Sequence, residues 1–434
     1  IAESPRVTKP YTEEQWQTID ALGDEIDKQL IQRDVRLTLG GEPTFVSIDH
    51  VDADEWNTAA TGKTKRPLGD DLIRRLRDKY APDGLLHFGQ GKWYPGEPLP
   101  RWAFALYWRR DGVPIWRDQA AFAREVDDHK PDIKTAETFA RGIAERLDVS
   151  PDATIPAYED PWHFMEQERR LPENVTLEDS KLDDPLERDR LSKVFSRGLS
   201  KPTGYVLPVQ RWNARASNRR WYSEPWSTRT DRLVLIPGDS PVGYRLPLDS
   251  LPHVRSVDYP YIVPADPFDE RGELPEPDAA RQPYLQGSEH PGGGRQVISE
   301  QSVTGAKGRV RAAMTIEPRD GRICVFMPPT ETLEDYLDLI AAIEDATAET
   351  GMPVHIEGYA PPNDPRLNVI KVTPDPGVLE INIKPAESWR EMVESTETLY
   401  EEARLSRLGT EKFMLDGRHT GTGGGNHVVA GGPT

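Results

Sequence analysis

Val310-Arg-Ala-Ala-Met-Thr-Ile-Glu317, Pro318-Arg-Asp-Gly321 and Arg322-Ile-Cys-Val-Phe-Met327 make one continuous stretch, and its reading decides the fold. Two runs of apolar and β-branched residues flank an Asp-Gly pair, the pattern of a tight β-hairpin. Working outward, Thr332–Thr350 reads as a capped helix, Val354–Gly358 and Val378–Ile383 as strands, and Ala386–Leu408 as a long helix. Upstream, residues 11–33 read as an amphipathic helix with Thr12 as N-cap and Glu13 and Glu14 in its first turn. Val35–Leu39 alternates as a strand and runs into Gly40-Gly-Glu-Pro-Thr-Phe45. Leu68–Tyr80 and residues 135–147 read as helices, and Arg101–Arg109 as an apolar segment. Strands and helices in this order, with one clear hairpin, predict an α+β fold built on an antiparallel sheet. The expected division is a helix and linker over residues 1–34, then one domain over 35–434 carrying a loop-rich insertion at about 150–300.

The chain has 434 residues, 29% of them charged, and a net charge of −19, which argues against a general nucleic-acid binder. The apolar runs fall far short of the roughly 20 residues that span a bilayer, so no membrane segment is expected. A single cysteine, Cys324, excludes a disulfide framework and a cysteine-based zinc cage. It fits a reducing compartment, and a cytoplasmic location is expected. The chain begins at Ile1 and stops at Thr434 soon after a glycine loop, and it is expected to be a piece of a longer polypeptide.

Several constellations could carry chemistry. In Val378–Ile383 the period of 2 sends Leu379, Ile381 and Ile383 one way, and Glu380 and Asn382 the other. Carboxylate and amide oxygens on a sheet face suit Mg²⁺, although a solvent-facing strand edge has the same pattern. Glu357 shares a strand face with His355, and the stiff loop Pro361–Leu367 would hold Arg366 to clamp a phosphate or carboxylate, or to pair with Asp364. Glu42 ends a strand beside two glycines, and the basic run Thr61–Arg66 could meet a triphosphate, though it lacks the first glycine of a P-loop. Gly421, Gly423, Gly424 and Gly425 expose N–H groups to an anion, with His419, Asn426 and His427 at the borders of the loop. A flexible tail is the other reading of that loop. Cys324, mid-strand, reads as a buried inert thiol rather than a nucleophile.

Taken together, Leu39-Gly-Gly-Glu-Pro-Thr-Phe-Val-Ser47, Glu55-Trp-Asn-Thr58, Glu357-Gly-Tyr359, Pro362-Asn-Asp-Pro-Arg-Leu367, Thr373-Pro-Asp-Pro-Gly-Val-Leu-Glu-Ile-Asn382 and His419-Thr-Gly-Thr-Gly-Gly-Gly-Asn-His427 resemble the bacterial amidoligase family. The resemblance runs from about residue 30 to the end. It implies a carboxylate–amine ligase with a glutamine-synthetase-like fold: a curved antiparallel sheet with helices on one face and acidic residues that bind Mg²⁺. ATP would activate a carboxylate as an acyl phosphate, which an amine displaces to give an amide or isopeptide bond. Carried over by position, Glu42, Glu357, Glu380 and Asn382 would be metal ligands. Gly421, Gly423, Gly424, Gly425, Asn426 and His427 would contact the nucleotide, and Arg366 and His427 would be catalytic. Members of the family continue past the glycine loop and commonly follow a transglutaminase-like domain. The resemblance therefore implies a truncated site, peptide or amino-compound substrates, and such a domain in the parent chain. Two rivals stand beside this reading: an acyl transferase using Cys324, and a transglutaminase-associated peptide- or glycan-binding module without catalysis.

Overall fold

The computed structural model describes residues 11–95, 97, 100–173, 185–211, 221–230, 232–254, 271–276, 310–413, 419–425 and 427–432. The chain forms two compact units, one of residues 1–114, 124–126 and 366–434, the other of residues 115–123 and 127–365. The N-terminal helix belongs to the first unit, and the second takes in the hairpin that decided the fold class.

The first unit contains α1 (Glu13–Gln32), β1 (Thr38–Glu42), β2 (Thr44–Ser47), α2 (Lys65–Tyr80), β3 (Leu85–Gln90) and β4 (Trp102–Arg109). From the C-terminal part of the chain it adds β13 (Leu367–Asp375), β14 (Val378–Asn382), α7 (Trp389–Leu405), β15 (Leu408–Gly409), β16 (Glu411–Phe413), β17 (His419–Gly421) and β18 (His427–Gly431). Six strands form one sheet in the order β15-β2-β14-β13-β4-β3, every neighbour antiparallel. Alternation buries Phe45, Leu379, Ile381, Val372, Ile370, Phe104 and Leu106 on one face, with Leu72, Ile73 and Leu76 of α2 and Leu399 of α7 in the same core. Burying each such side chain contributes about 1.5–3 kcal/mol.

Two differences from the sequence reading matter. The first strand runs over Thr38–Glu42 instead of Val35–Leu39, so Gly40, Gly41 and Glu42 lie within it. The strand β13 was missed altogether. Its alternation is present in Leu367–Asp375, but a proline-rich approach and Pro374 disguise it as loop.

The helix α1 starts as expected: Thr12 accepts from Gln15 N, and Gln15 Oε1 accepts from Thr12 N, a complete capping box. It docks through Gly23, the buried residue of its span, on which the Trp389 ring lies. Asp20 accepts from Trp389 Nε1 at 2.9 Å, and Asp27 from Trp389 N at 2.7 Å. A Cβ at Gly23 would fall 2.3 Å from that ring. Gly23→Leu is therefore expected to cost about 2 kcal/mol of docking and to expose α1 to limited proteolysis before the rest of the unit. Cleavage at the wild-type rate would show that α1 is held by other means.

The second unit contains α3 (Ile133–Arg146), β5 (Ile155–Tyr158), α4 (Pro161–Arg169), α5 (Pro185–Arg197), β6 (Gly204–Pro208), the small pair β7 (Gln210–Arg211) and β8 (Trp221–Tyr222), and β9 (Leu233–Val234). It continues with β10 (Ala313–Arg319), β11 (Arg322–Met327), α6 (Leu333–Thr350) and β12 (Val354–Gly358). Its six-stranded sheet has the order β12-β11-β10-β6-β5-β9. The expected hairpin is there, with Asp320 and Gly321 both at positive φ, 48° and 78°. This sheet is mixed, however. The pairs β11–β12 and β5–β9 are parallel, which corrects the expectation of antiparallel pairing for this half of the chain. The physical reason is the crossover: α6 lies between β11 and β12 and returns the chain to the same end of the sheet. Most of Asp266–Gly294, expected as a surface loop, lies outside the described residues. Among the described residues no helix is long and apolar enough to cross a membrane.

Candidate active site in the first unit

The strand β14 is buried at Val378, Leu379 and Ile381 and half-buried at Glu380 and Asn382, so the two polar side chains share the face turned away from the helices. Asn382 Nδ2 donates to Glu380 Oε1 at 3.2 Å. Register then aligns neighbours across four strands. Glu380 lies opposite Thr44 of β2 and Thr373 of β13, and Asn382 lies opposite Lys371. Past β2, Ile381 N donates to Pro43 O at 3.0 Å and Ile383 N to Gly41 O at 3.2 Å, which continues the register and sets Asn382 opposite Glu42. Directly opposed residues of a non-hydrogen-bonded pair bring their side chains to about 4.5–5.5 Å. Glu42, Asn382, Glu380, Thr44, Thr373 and Lys371 thus form a two-row block on one face. On β1, Glu42 in turn faces His427 of β18.

The glycine loop closes over this block. Thr44 Oγ1 and Thr422 Oγ1 lie 2.6 Å apart, both buried, and a Cβ at Gly424 would stand 3.0 Å from Thr44 Cγ2 and 3.1 Å from Val378 Cγ2. Only glycine lets the backbone approach so closely. At Gly425 a Cβ would fall 2.3 Å from His427 Nε2, so the imidazole lies against the loop. Thr422 and Gly424 are the points at which the loop packs on the sheet, whereas Gly421, Gly423 and Gly425 are exposed. Asn426 lies outside the described residues.

Lys92, which the sequence reading did not single out, reaches this block from the end of β3, with Nζ 3.5 Å from Glu380 Oε1. The carboxylate of Glu380, then Tyr94 and Glu42, hold its pKa above the ordinary lysine value despite partial burial. Lys371 was missed along with its strand. Its signal was the alternation of β13, whereas nothing in Gly91-Lys92-Trp93 marks Lys92 out. Asp375, at the β13–β14 turn, is an ion-pair partner of Arg101, which also binds Glu97.

Other expected residues sit elsewhere. Arg366 precedes β13, and its carbonyl accepts from Arg110 N at 2.9 Å. Five residues separate it from Lys371, about 16 Å along the strand at 3.3 Å per residue, so the fold sets it at the other end of the sheet from Glu380. Asp364 accepts from Arg271 Nη1 at 2.6 Å. Glu357 belongs to the second unit, buried on β12, where Arg319 binds both it and Glu317. Burial pushes the Glu317 carboxyl up, and the guanidinium of Arg319 opposes that shift. In the run Thr61–Arg66, Lys65 is fully buried against backbone carbonyls, and Arg66 pairs with Glu125 at 2.6 Å. Both are engaged within the fold, Lys65 by backbone carbonyls and Arg66 by a carboxylate. Cys324 is 2% exposed, and burial pushes its thiol well up, so it stays protonated and inert as expected.

The donor chemistry suits a hard cation: two carboxylates and an amide oxygen in one block. Among the described residues no group of three His, Cys, Asp or Glu converges to hold a metal by itself. An ion held by Glu42, Glu380 and Asn382 would keep water or ligand oxygens in its remaining positions, as Mg²⁺ commonly does. The ammonium of Lys92 already stands beside Glu380 as a cation.

An α+β protein with an acid–amide block on an antiparallel sheet, roofed by a glycine loop, is the class that this geometry defines. The chain belongs to the amidoligase family: the family described as "Putative amidoligase enzyme" matches residues 1–434. Comparison with curated proteins and with solved structures found no match.

Proposed function

We propose that this protein is an ATP- and Mg²⁺-dependent carboxylate–amine ligase whose site is the block on β14 and its neighbours. In this reading the nucleotide phosphorylates a substrate carboxylate. An amine then attacks the acyl phosphate carbonyl, loses its proton and expels phosphate, leaving an amide or isopeptide bond. Glu42, Glu380 and Asn382 would hold Mg²⁺, which supplies charge neutralisation at the transferring phosphoryl group. The N–H groups of Gly421, Gly423, Gly424 and Gly425 would cradle phosphate oxygens, with His427 at the rim. The cationic role expected of Arg366 passes to Lys92 and Lys371, which lie in the block, and Glu357 is left out because Arg319 engages it. A glutamine-synthetase-like architecture and peptide or amino-compound substrates belong to the same proposal. So do a transglutaminase-like domain in the parent chain and a cytoplasmic location.

The observation that supports this reading is the bond between Thr44 and Thr422, which pins the glycine loop directly over the row holding Glu380. The test is thermal unfolding with ATP, with and without Mg²⁺, for wild type and Glu380→Ala. At about 100 times its dissociation constant the nucleotide should stabilise the wild type by about 2.7 kcal/mol, only with Mg²⁺ present, and Glu380→Ala should lose the effect. Absence of any Mg²⁺-dependent shift in the wild type sinks the proposal. Stabilisation by peptides or glycans, indifferent to Mg²⁺ and ATP, would favour the non-catalytic module instead.

A further inference from the structure

Lys92 combines a fixed backbone with a side chain that has room to turn. Gly91 N donates to Arg101 O at 2.6 Å and Arg101 N to Lys92 O at 3.0 Å, which closes the base of the β3–β4 connection. Arg101 is itself clamped by Glu97 and Asp375, so this base does not shift easily. The Lys92 side chain is 61% exposed, with its ammonium 3.5 Å from Glu380 Oε1 and the carboxylate of Glu42 nearby. A lysine ammonium is a compact cation on a flexible four-carbon stem. It can neutralise a carboxylate in one orientation and meet a phosphate in another. Two cations cannot crowd one carboxylate oxygen without strong mutual repulsion.

We propose that Lys92 is a built-in stand-in for the metal ion: its ammonium holds the position beside Glu380 until a metal–nucleotide pair arrives, and then turns outward to a phosphate oxygen of that nucleotide. This rests on the metal–nucleotide reading of the site given above. It adds a regulatory consequence: metal alone meets a competitor, whereas metal with nucleotide gives the displaced ammonium a new partner. Each ligand then strengthens the binding of the other, and by linkage the effect is reciprocal.

The experiment is calorimetric titration of the chain with Mn²⁺, alone and with a non-hydrolysable ATP analogue, for wild type, Lys92→Gln, Lys92→Arg and Glu380→Gln. Because Lys92 is largely exposed, the Gln and Arg variants are expected to fold, which a thermal melt verifies. Lys92→Gln should bind Mn²⁺ alone about tenfold more tightly than wild type, as expected for removing a like charge at this range. Its enhancement of Mn²⁺ affinity by the analogue should largely vanish, and Lys92→Arg should retain wild-type behaviour in both respects. Equal Mn²⁺ affinity in wild type and Lys92→Gln overturns the proposal. If at the same time wild type binds Mn²⁺ with the analogue and Glu380→Gln does not, the metal–nucleotide reading survives and only the role of Lys92 falls. If neither wild type nor Lys92→Gln takes up Mn²⁺ under any condition, both fall together.

Discussion

Lys65→Met is expected to lower the unfolding free energy by about 3 kcal/mol at pH 9, and by less at pH 6. Lys65 opens α2 with no exposed surface, and its Nζ donates to Asp375 O at 2.7 Å, Ala60 O at 2.9 Å and Ala59 O at 3.3 Å. Methionine preserves the stem but leaves those carbonyls without their donor. Burial pushes the Lys65 pKa down to about 7, against the pull of Glu55 and Asp375. In the unfolded chain it returns to about 10.4. Between these values the unfolded state binds more protons than the folded one, so wild-type stability rises with pH across that window and is lost as pH falls through about 7. Methionine carries no proton, so the gap between the two proteins should narrow by roughly 1–3 kcal/mol from pH 9 to pH 6. Urea unfolding at pH 6, 7.5 and 9 measures it. A gap that does not change with pH would show that the lysine keeps its proton in the folded state. The consequence reaches the site, because the same side chain joins the loop at 59–60 to the turn from which β14 carries Glu380. If the proposed function holds, the Mg²⁺-dependent nucleotide response should weaken with it.

Gly358→Ala should destabilise the second unit by about 3 kcal/mol, from two penalties that relaxation cannot easily relieve. Gly358 has φ of 88°, which alone costs an L-residue about 1–2 kcal/mol. Its Cβ would also stand 2.7 Å from both Met327 N and Met327 O, the backbone of the partner strand in the parallel β11–β12 register. Backbone in a ladder cannot step aside without breaking hydrogen bonds. Gly351→Ala serves as control: its φ is 64°, and a Cβ there meets nothing within 4 Å, so only the conformational cost of about 1 kcal/mol applies. Denaturant titrations of the two variants separate the contributions. Equal losses would mean that the close approach at Gly358 carries no energy.

Local pattern made much of this protein legible. The capping box at Thr12, the Asp-Gly hairpin at 320–321, the capped helix that begins after Thr332 and the alternation of Glu380 and Asn382 each depend on residues a few positions apart. Backbone geometry and side-chain direction follow directly from such spacing. Where sequence reasoning failed, the deciding partner was distant. The strand β13 is held by β4 and β14, so Pro374 did not prevent pairing, and with it Lys371 came into the block. The parallel pairing of β11 with β12 follows from the crossover through α6, which no local signal reveals.

The site divides in the same way. The amino-acid sequence by itself determined the family, the α+β class, the inert thiol at Cys324, and the common face of Glu380 and Asn382, because each follows from residue type and short-range period. Only the tertiary structure decided which of the expected residues stand together. Register over three strands united Glu42, Asn382, Glu380 and Thr44, whereas Arg366 stands just before the far end of β13 and Glu357 belongs to the second unit. Lys92 became part of the block through one long-range ion pair, and Lys65 became a buried tie through three carbonyls. A charged side chain is read as a solvated group until its neighbours are known, and the deciding ones here, Glu380 for Lys92 and Asp375 for Lys65, lie hundreds of residues away along the chain.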